Sequence, residues 1–218
     1  WFRRQLWFRR FQSLGHFRCG CVMRIAYQGE PGAYSEAAAL RFKPRADLLP
    51  RESFETVFAA VADEVATYGI LPIENTIGGT IHRNYDLLLQ HELPIVGEVK
   101  LPIVHNLLAL AGTSRDQLRR VYSHPQGLAQ CERFLRTLDN VQIVATYDTA
   151  GSAKMIRDGQ LGDTGAIASA RAADVFGLSI LDEGVQDFAV NTTRFLLIGR
   201  DPTPAGRANK TTIVFTGP

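Results

Sequence analysis

Cysteine, long apolar runs and nucleotide fingerprints are scarce in this chain, and each absence closes a class of function. Of three cysteines, Cys19 and Cys21 fall in the first 22 residues, which leaves Cys131 alone in the body. One thiol builds neither a disulfide framework nor a tetrahedral metal set. On an apolar helical face, Cys131 reads as a buried structural thiol, and the pattern suits a reducing cytoplasm. No apolar run reaches the roughly 18 residues that span a bilayer, so no membrane partner is expected. There is no Gly-x-Gly-x-x-Gly, no P-loop and no His/Asp/Glu metal spacing. Ser123 and His124 are too close in sequence for a hydrolase pair, and no Gly-x-Ser-x-Gly elbow exists.

What is present is a globular composition, 45% hydrophobic and 21% charged over 218 residues, enough for one large domain or two lobes. Basic charge is concentrated at one end. Residues 1–22 hold Arg3, Arg4, Arg9, Arg10 and Arg18, both tryptophans and no acid. Without those five arginines, 19 basic residues face 22 acids, so the body is near −3 rather than +2. The basic pI therefore does not indicate nucleic-acid binding. Met23 opens a strand pattern, so residues 1–22 read as a non-native or upstream segment, as an Arg-rich targeting peptide or, third, as a membrane-surface anchor.

From Met23, strand-like and helix-like runs alternate. Strands are expected at 24–27, 68–73, 95–101, 106–111, 121–123, 141–145, 165–168, 178–181 and 194–198. Helices are expected at 35–42, 54–65 with Ser53 as cap, 78–90, 116–120, 125–138, 149–158 and 169–176. This alternation predicts an α/β fold with mostly parallel sheets flanked by helices. Residues 201–206 read as a linker, and 211–215 as a further strand.

In such sheets, ligands bind beyond the carboxyl ends of strands, where helix N-termini point. Several polar clusters sit at such places. Gly29–Ser35, with Tyr34 and Ser35 opening a helix, is an anion cradle or a plain turn. Glu74-Asn75-Thr76-Ile77-Gly78 follows an apolar strand and serves ligand binding or helix capping. Ser123-His124-Pro125-Gln126 is followed by Gln130, and helical spacing puts Ser123 and Gln130 nearly on one face. Asn191-Thr192-Thr193-Arg194 starts a strand, where Arg194 clamps a carboxylate or forms an outward ion pair. Asp148 is a ligand contact or an N-cap.

In this order, Gly29–Ser35, Glu74-Asn75 with Gly78, Ser123-His124-Pro125-Gln126 with Gln130, and Asn191-x-Thr193-Arg194-Phe195 resemble prephenate dehydratases, from about Met23 to the end. Ala33 stands where many members carry Ser or Thr, and Asp148 where some carry Glu. The resemblance implies a two-lobed architecture like type 2 periplasmic-binding proteins. One lobe comprises residues 23–97 plus 188–200, the other 98–187, with a central cleft. It implies a lyase that converts prephenate to phenylpyruvate in phenylalanine biosynthesis, without cofactor or metal. Thr193 assists hydroxyl departure, with Ser123, His124 and Glu74 as further catalytic groups. Arg194 holds the pyruvyl carboxylate. Asn75, Gln130, Asn191, Asp148, Gly78, Tyr34 and Ser35 complete the substrate site. Residues 201–218 are then a linker and the first strand of a truncated regulatory ACT domain, through which phenylalanine acts. A cytoplasmic dimer or tetramer is expected. Two alternatives stay open: an arogenate dehydratase, and a non-enzymatic small-anion receptor of the same architecture. The receptor reading expects a secretory leader, and residues 1–22 lack the apolar region of one.

Overall fold

The computed structural model describes residues 23–202. The basic segment 1–22 and the strand expected at 211–215 lie outside the described residues. Burial on both faces selects the first central strand. β1 (Arg24–Gln28) carries Ile25, Ala26 and Tyr27, all buried, as in strands covered on both sides. α1 (Tyr34–Phe42) leads to β2 (Asp47–Arg51), and α2 (Phe54–Ala62) to β3 (Tyr68–Asn75). β1 is parallel to both strands. Ser53 starts α2 with a reciprocal cap: its Oγ accepts from Thr56 N, and its own N–H donates to Thr56 Oγ1. β4 (Gly79–Thr80) folds back on β3, α3 (His82–His91) follows, and β5 (Ile95–Pro102) ends the first pass through this sheet.

The chain then crosses to a second sheet. Its strands are β6 (Asn106–Ala109), β7 (Arg120–Ser123), β8 (Gln142–Ala145), β9 (Thr164–Ala168) and β10 (Ser179–Asp182), in the order β10-β6-β9-β7-β8. Its helices are α4 (Pro125–Ala129), α5 (Glu132–Leu135), α6 (Thr149–Gly159) and α7 (Ala170–Phe176). The return strand β11 (Thr192–Gly199) lies between β3 and β5, antiparallel to both. The two crossing segments hold each other: Ile103 N donates to Asn191 O and Val185 N to His105 O, each at 2.8 Å.

The α/β architecture with two sheets is as expected, but several local readings change. The sheets are mixed, with four parallel and five antiparallel pairings. The boundary expected between Gly97 and Glu98 falls inside β5, which pairs with β11 through to Pro102. β2 was not anticipated; with Pro50 inside it, it pairs only with β1 at the sheet edge, where a missing N–H is tolerated. The helix expected at 125–138 breaks at Gln130-Cys131, where Gln130 O accepts Asp187 N at 2.7 Å. Gly79 and Thr80 form β4 instead of helix, and α3 starts at His82.

The sheets share a core. One apolar cluster joins Ile25, Tyr27 and Ala33 of the first unit to Leu108, Ala150, Ile156 and Phe176 of the second. Gly32, at φ +89°, lies so close to α7 that a Cβ would come within 2.8 Å of Ala172 Cα. Beside it, Arg171 grips the buried carboxylate of Glu36 through two nitrogens, at 3.0 and 2.7 Å. The two sheets and their helices are thus packed against one another along this shared core.

Candidate active site

A cavity of about 560 Å³ opens between the sheets. Its wall follows from topology. Gln28 ends β1 and Asn75 ends β3; His124 follows β7, and Tyr147 and Asp148 follow β8. The first turns of α1, α2 and α6 also border it, through Tyr34 and Ser35, Phe54 and Glu55, and Thr149. Their N–H groups give the wall a positive bias suited to an anion.

A bulge aims the central donor. In pairing with β11, the register of β3 passes from Glu74 to Pro72 and skips Ile73. Pro72 and Asn75 both line the cavity as a result. Asn75 Oδ1 accepts from Ile77 N at 3.0 Å and Gly78 N at 2.6 Å. Backbone N–H groups can only donate, so the amide cannot be reversed. Its Nδ2 therefore donates, to Thr193 Oγ1 at 2.9 Å and to Asn191 Oδ1 at 2.7 Å.

The same polarity propagates across the cleft. With its oxygen accepting, Asn191 donates through Nδ2 to Gln130 Oε1 at 2.8 Å. Gln130 Oε1 then faces His105 Nε2 at 2.9 Å, so that nitrogen carries the proton. His105 Nδ1 is left to accept from the Tyr34 hydroxyl, 2.9 Å away. Burial pushes the His105 pKa down, against a smaller upward effect from Gln130, which keeps the ring neutral. Burial raises the Tyr34 phenol well above its usual range, so it stays protonated. One consequence is chemical: Thr193 Oγ1 is already an acceptor, and its own proton is available to a guest in the cavity.

Seven of the expected site residues line the cavity: Tyr34, Ser35, Asn75, His124, Gln130, Asp148 and Thr193. His124 caps α4 through Nδ1, which accepts from Gln126 N at 3.2 Å and leaves Nε2 as the ring's donor. Asp148 also caps α6, accepting from Ala150 N, while its other oxygen accepts Glu30 N across the cleft at 3.1 Å. Asn191 is buried behind the lining, inside the amide chain. Gly78 acts through its N–H, and a Cβ there would run into the Gln126 side-chain amide.

Three expectations are corrected. Ser123 ends β7, as the strand expected at 121–123 places it, but it shares no helical face with Gln130; fully buried, it donates to Ile167 O at 2.7 Å. It touches Gly127 and props α4 on the sheet instead of meeting a ligand. Glu74 and Arg194 are register partners whose side chains do not line the cavity. Thr193 and Phe195 line it, and strand alternation turns Arg194 to the other face. There its nitrogens lie 3.9 Å from carboxylate oxygens of Glu74 and of Glu98.

Sequence reasoning did not find His105, Arg83 or Tyr147, all of which line the cavity together with Gln126 of the expected Ser123–Gln126 cluster. His105 was legible as a polar residue between two apolar strands, and Arg83 as a cation one turn past Gly78-Gly79. Cys131 is fully buried, and burial raises its thiol to about 12. Among the described residues, no group of three or more His, Cys, Asp or Glu is placed to hold a metal.

Comparison with known proteins narrows what this site belongs to. Residues 25–203 match the family model for prephenate dehydratase. The chain is 54% identical over 199 residues to arogenate dehydratase/prephenate dehydratase 6, chloroplastic, of Arabidopsis thaliana, covering 90% of this chain and 48% of the relative. It thus spans about half the length of the curated relatives it matches. A prephenate dehydratase from Arthrobacter aurescens, solved in complex with L-Phe, aligns with TM-score 0.77 at 27% identity over 83% of this chain and 61% of its own. GqqA, described as a novel type of quorum quenching acylase, aligns with TM-score 0.76 at 38% identity over 83% of this chain and 65% of its own. With the family match covering well over half of its length and meeting the Asn75–Thr193 cavity, the chain belongs to the prephenate dehydratase family.

Proposed function

We propose that this cavity carries out the decarboxylating dehydration of prephenate to phenylpyruvate, or the same reaction on its amino analogue arogenate. The single observation that carries the reading is the Asn75 donor on Thr193 Oγ1, which leaves the hydroxyl proton free for a leaving group. In the reaction the ring C4–OH bond breaks, and the oxygen takes a proton and departs as water. The C1–carboxylate bond breaks with it, its electron pair enters the ring, and CO₂ leaves. Prephenate dianion and one proton thereby become phenylpyruvate, CO₂ and water, with aromatisation as the driving force.

Thr193 supplies the proton or a strong hydrogen bond to the departing oxygen. A threonine hydroxyl is a weak acid, and the Asn75 amide offsets that by stabilising negative charge that develops on Oγ1. Solvent returns the proton. A positioned donor of this kind contributes roughly 10² to 10⁴ in rate. Helix N-termini and Arg83 on the cavity wall suit the substrate's carboxylates.

The test is turnover of prephenate by the purified chain, read as phenylpyruvate formed, for wild type, Thr193→Ser and Thr193→Val. Serine keeps the donor and should keep much of the rate. Valine keeps the shape and should lose at least two orders of magnitude in kcat, with little change in melting temperature. A valine variant with near-normal kcat would remove Thr193 from the chemistry.

A further inference from the structure

The cavity wall carries charge of both signs, and the balance runs against a simple dianion. Glu52, Glu55 and Asp148 line it, and Arg83 is the one Lys or Arg among its lining residues. Asp148 is committed: one oxygen caps α6 and the other accepts Glu30 N. The remaining charges gather where α2 and α3 begin. Arg83 Nε and Nη2 both reach Glu55 Oε1, at 2.7 and 2.5 Å. Sharing a single oxygen leaves the Nη1 edge of the guanidinium without an acceptor among the described residues. Glu55 stays ionised through the working range. Its own backbone N–H, then Arg83 and the Ser53 hydroxyl, hold its carboxyl down at about 2.

Prephenate and arogenate differ at one place, the three-carbon side chain on C1. One ends in a keto acid, the other in an α-amino acid, with the ammonium one carbon from the carboxylate. A guanidinium with an open edge beside a permanent carboxylate matches the amino-acid head in both charges. The keto acid satisfies the guanidinium and meets Glu55 and Glu52 with like charge. Selectivity of this type rests on repulsion as much as on attraction.

Resting on the dehydratase reading above, we propose that Arg83 and Glu55 are the specificity-determining pair of this site. Arg83 takes the side-chain carboxylate of either substrate, and Glu55 accepts from the α-ammonium, so the amino-acid form is favoured over the keto acid.

The experiment compares kcat/KM for arogenate and prephenate in wild type, Glu55→Gln and Arg83→Gln, with thermal melts alongside. Glutamine at 55 keeps an acceptor for Arg83 and removes the charge. Glu55→Gln should lower the arogenate:prephenate ratio roughly tenfold or more, the worth of one charge-assisted hydrogen bond, with prephenate rising as arogenate falls. Arg83→Gln should depress both substrates by similar factors. A ratio unmoved by Glu55→Gln, equal losses for both substrates tracking a lower melting temperature, or a wild type that prefers prephenate would overturn the assignment, leaving the pair as a clip between α2 and α3. A wild type that turns over neither substrate would instead bring down the dehydratase reading, and this inference with it.

Discussion

Asn75 Nδ2 donates to Thr193 Oγ1 at 2.9 Å, and the direction of that bond is imposed from the backbone. Because Ile77 and Gly78 offer N–H groups to Asn75 Oδ1, the amide has only one orientation open to it. Two residues 118 apart in sequence are thereby tied into one donor unit, in which Thr193 lines the cavity and its hydroxyl proton has no acceptor among the described residues.

Asn75→Asp tests that unit with almost no change in shape. One carboxylate oxygen can still accept from Ile77 and Gly78. The other becomes an acceptor facing Thr193 Oγ1 and Asn191 Oδ1, so the Thr193 proton turns back to the introduced carboxylate. We expect kcat to fall by about 10² or more, with KM less affected, because the lost interaction belongs to the transition state. Steady-state kinetics beside a thermal melt would check it. A variant as active as wild type would mean that the polarity of Asn75 is irrelevant to the chemistry.

Arg194 gives the opposite expectation. Its side chain sits on the face of β11 away from the cavity, 3.9 Å from both Glu74 and Glu98, with Nε buried and without a hydrogen-bond partner among the described residues. Arg194→Met keeps the stem and removes the charge. The partly exposed pairs contribute about 1 kcal/mol or less, so a small fall in melting temperature with an unchanged KM is expected. A large rise in KM at full stability would return Arg194 to carboxylate binding.

These two residues mark what the sequence could and could not convey. The polar clusters at strand ends were readable because a β-α alternation places strand termini and helix starts at one edge, and Asn75, Gln130 and Thr193 meet there. Orientation within a cluster was not readable. Thr193 and Arg194 are neighbours, and which one faces the ligand depends on strand register and on the bulge that skips Ile73. Ser123 failed for a related reason: its backbone position at a strand end is right, but the nearest acceptor is Ile167 O from β9, over forty residues away. Arg83 and Glu55 are 28 apart and meet only because α2 and α3 pack side by side. The break at Gln130-Cys131 was hidden because 125–138 has helical composition throughout, and a tertiary bond from Asp187 N ends the first helix.

His105 yields a prediction about pH in which stability and catalysis separate. Burial lowers its pKa from the ordinary 6.5, and the Gln130 bond offsets that only in part. The unfolded chain therefore takes up a proton near pH 6.5 while the folded chain does not. Stability from this residue is fully present above that pH and declines as pH falls toward the folded pKa, with a slope of at most about 1.4 kcal/mol per pH unit. Urea midpoints for wild type and His105→Gln should converge as pH drops from about 7 to about 5; parallel curves would show that His105 does not titrate in this window. Catalysis should not follow the same curve. Protonation adds a hydrogen at Nδ1, and Tyr34 can then turn its hydroxyl to Val104 O, already 2.7 Å away. His105 Nε2 still donates to Gln130 Oε1, so the chain through Asn191 and Asn75 keeps its direction and Thr193 keeps its proton on the cavity side. The kcat of the folded fraction should stay level where the urea midpoint is already falling.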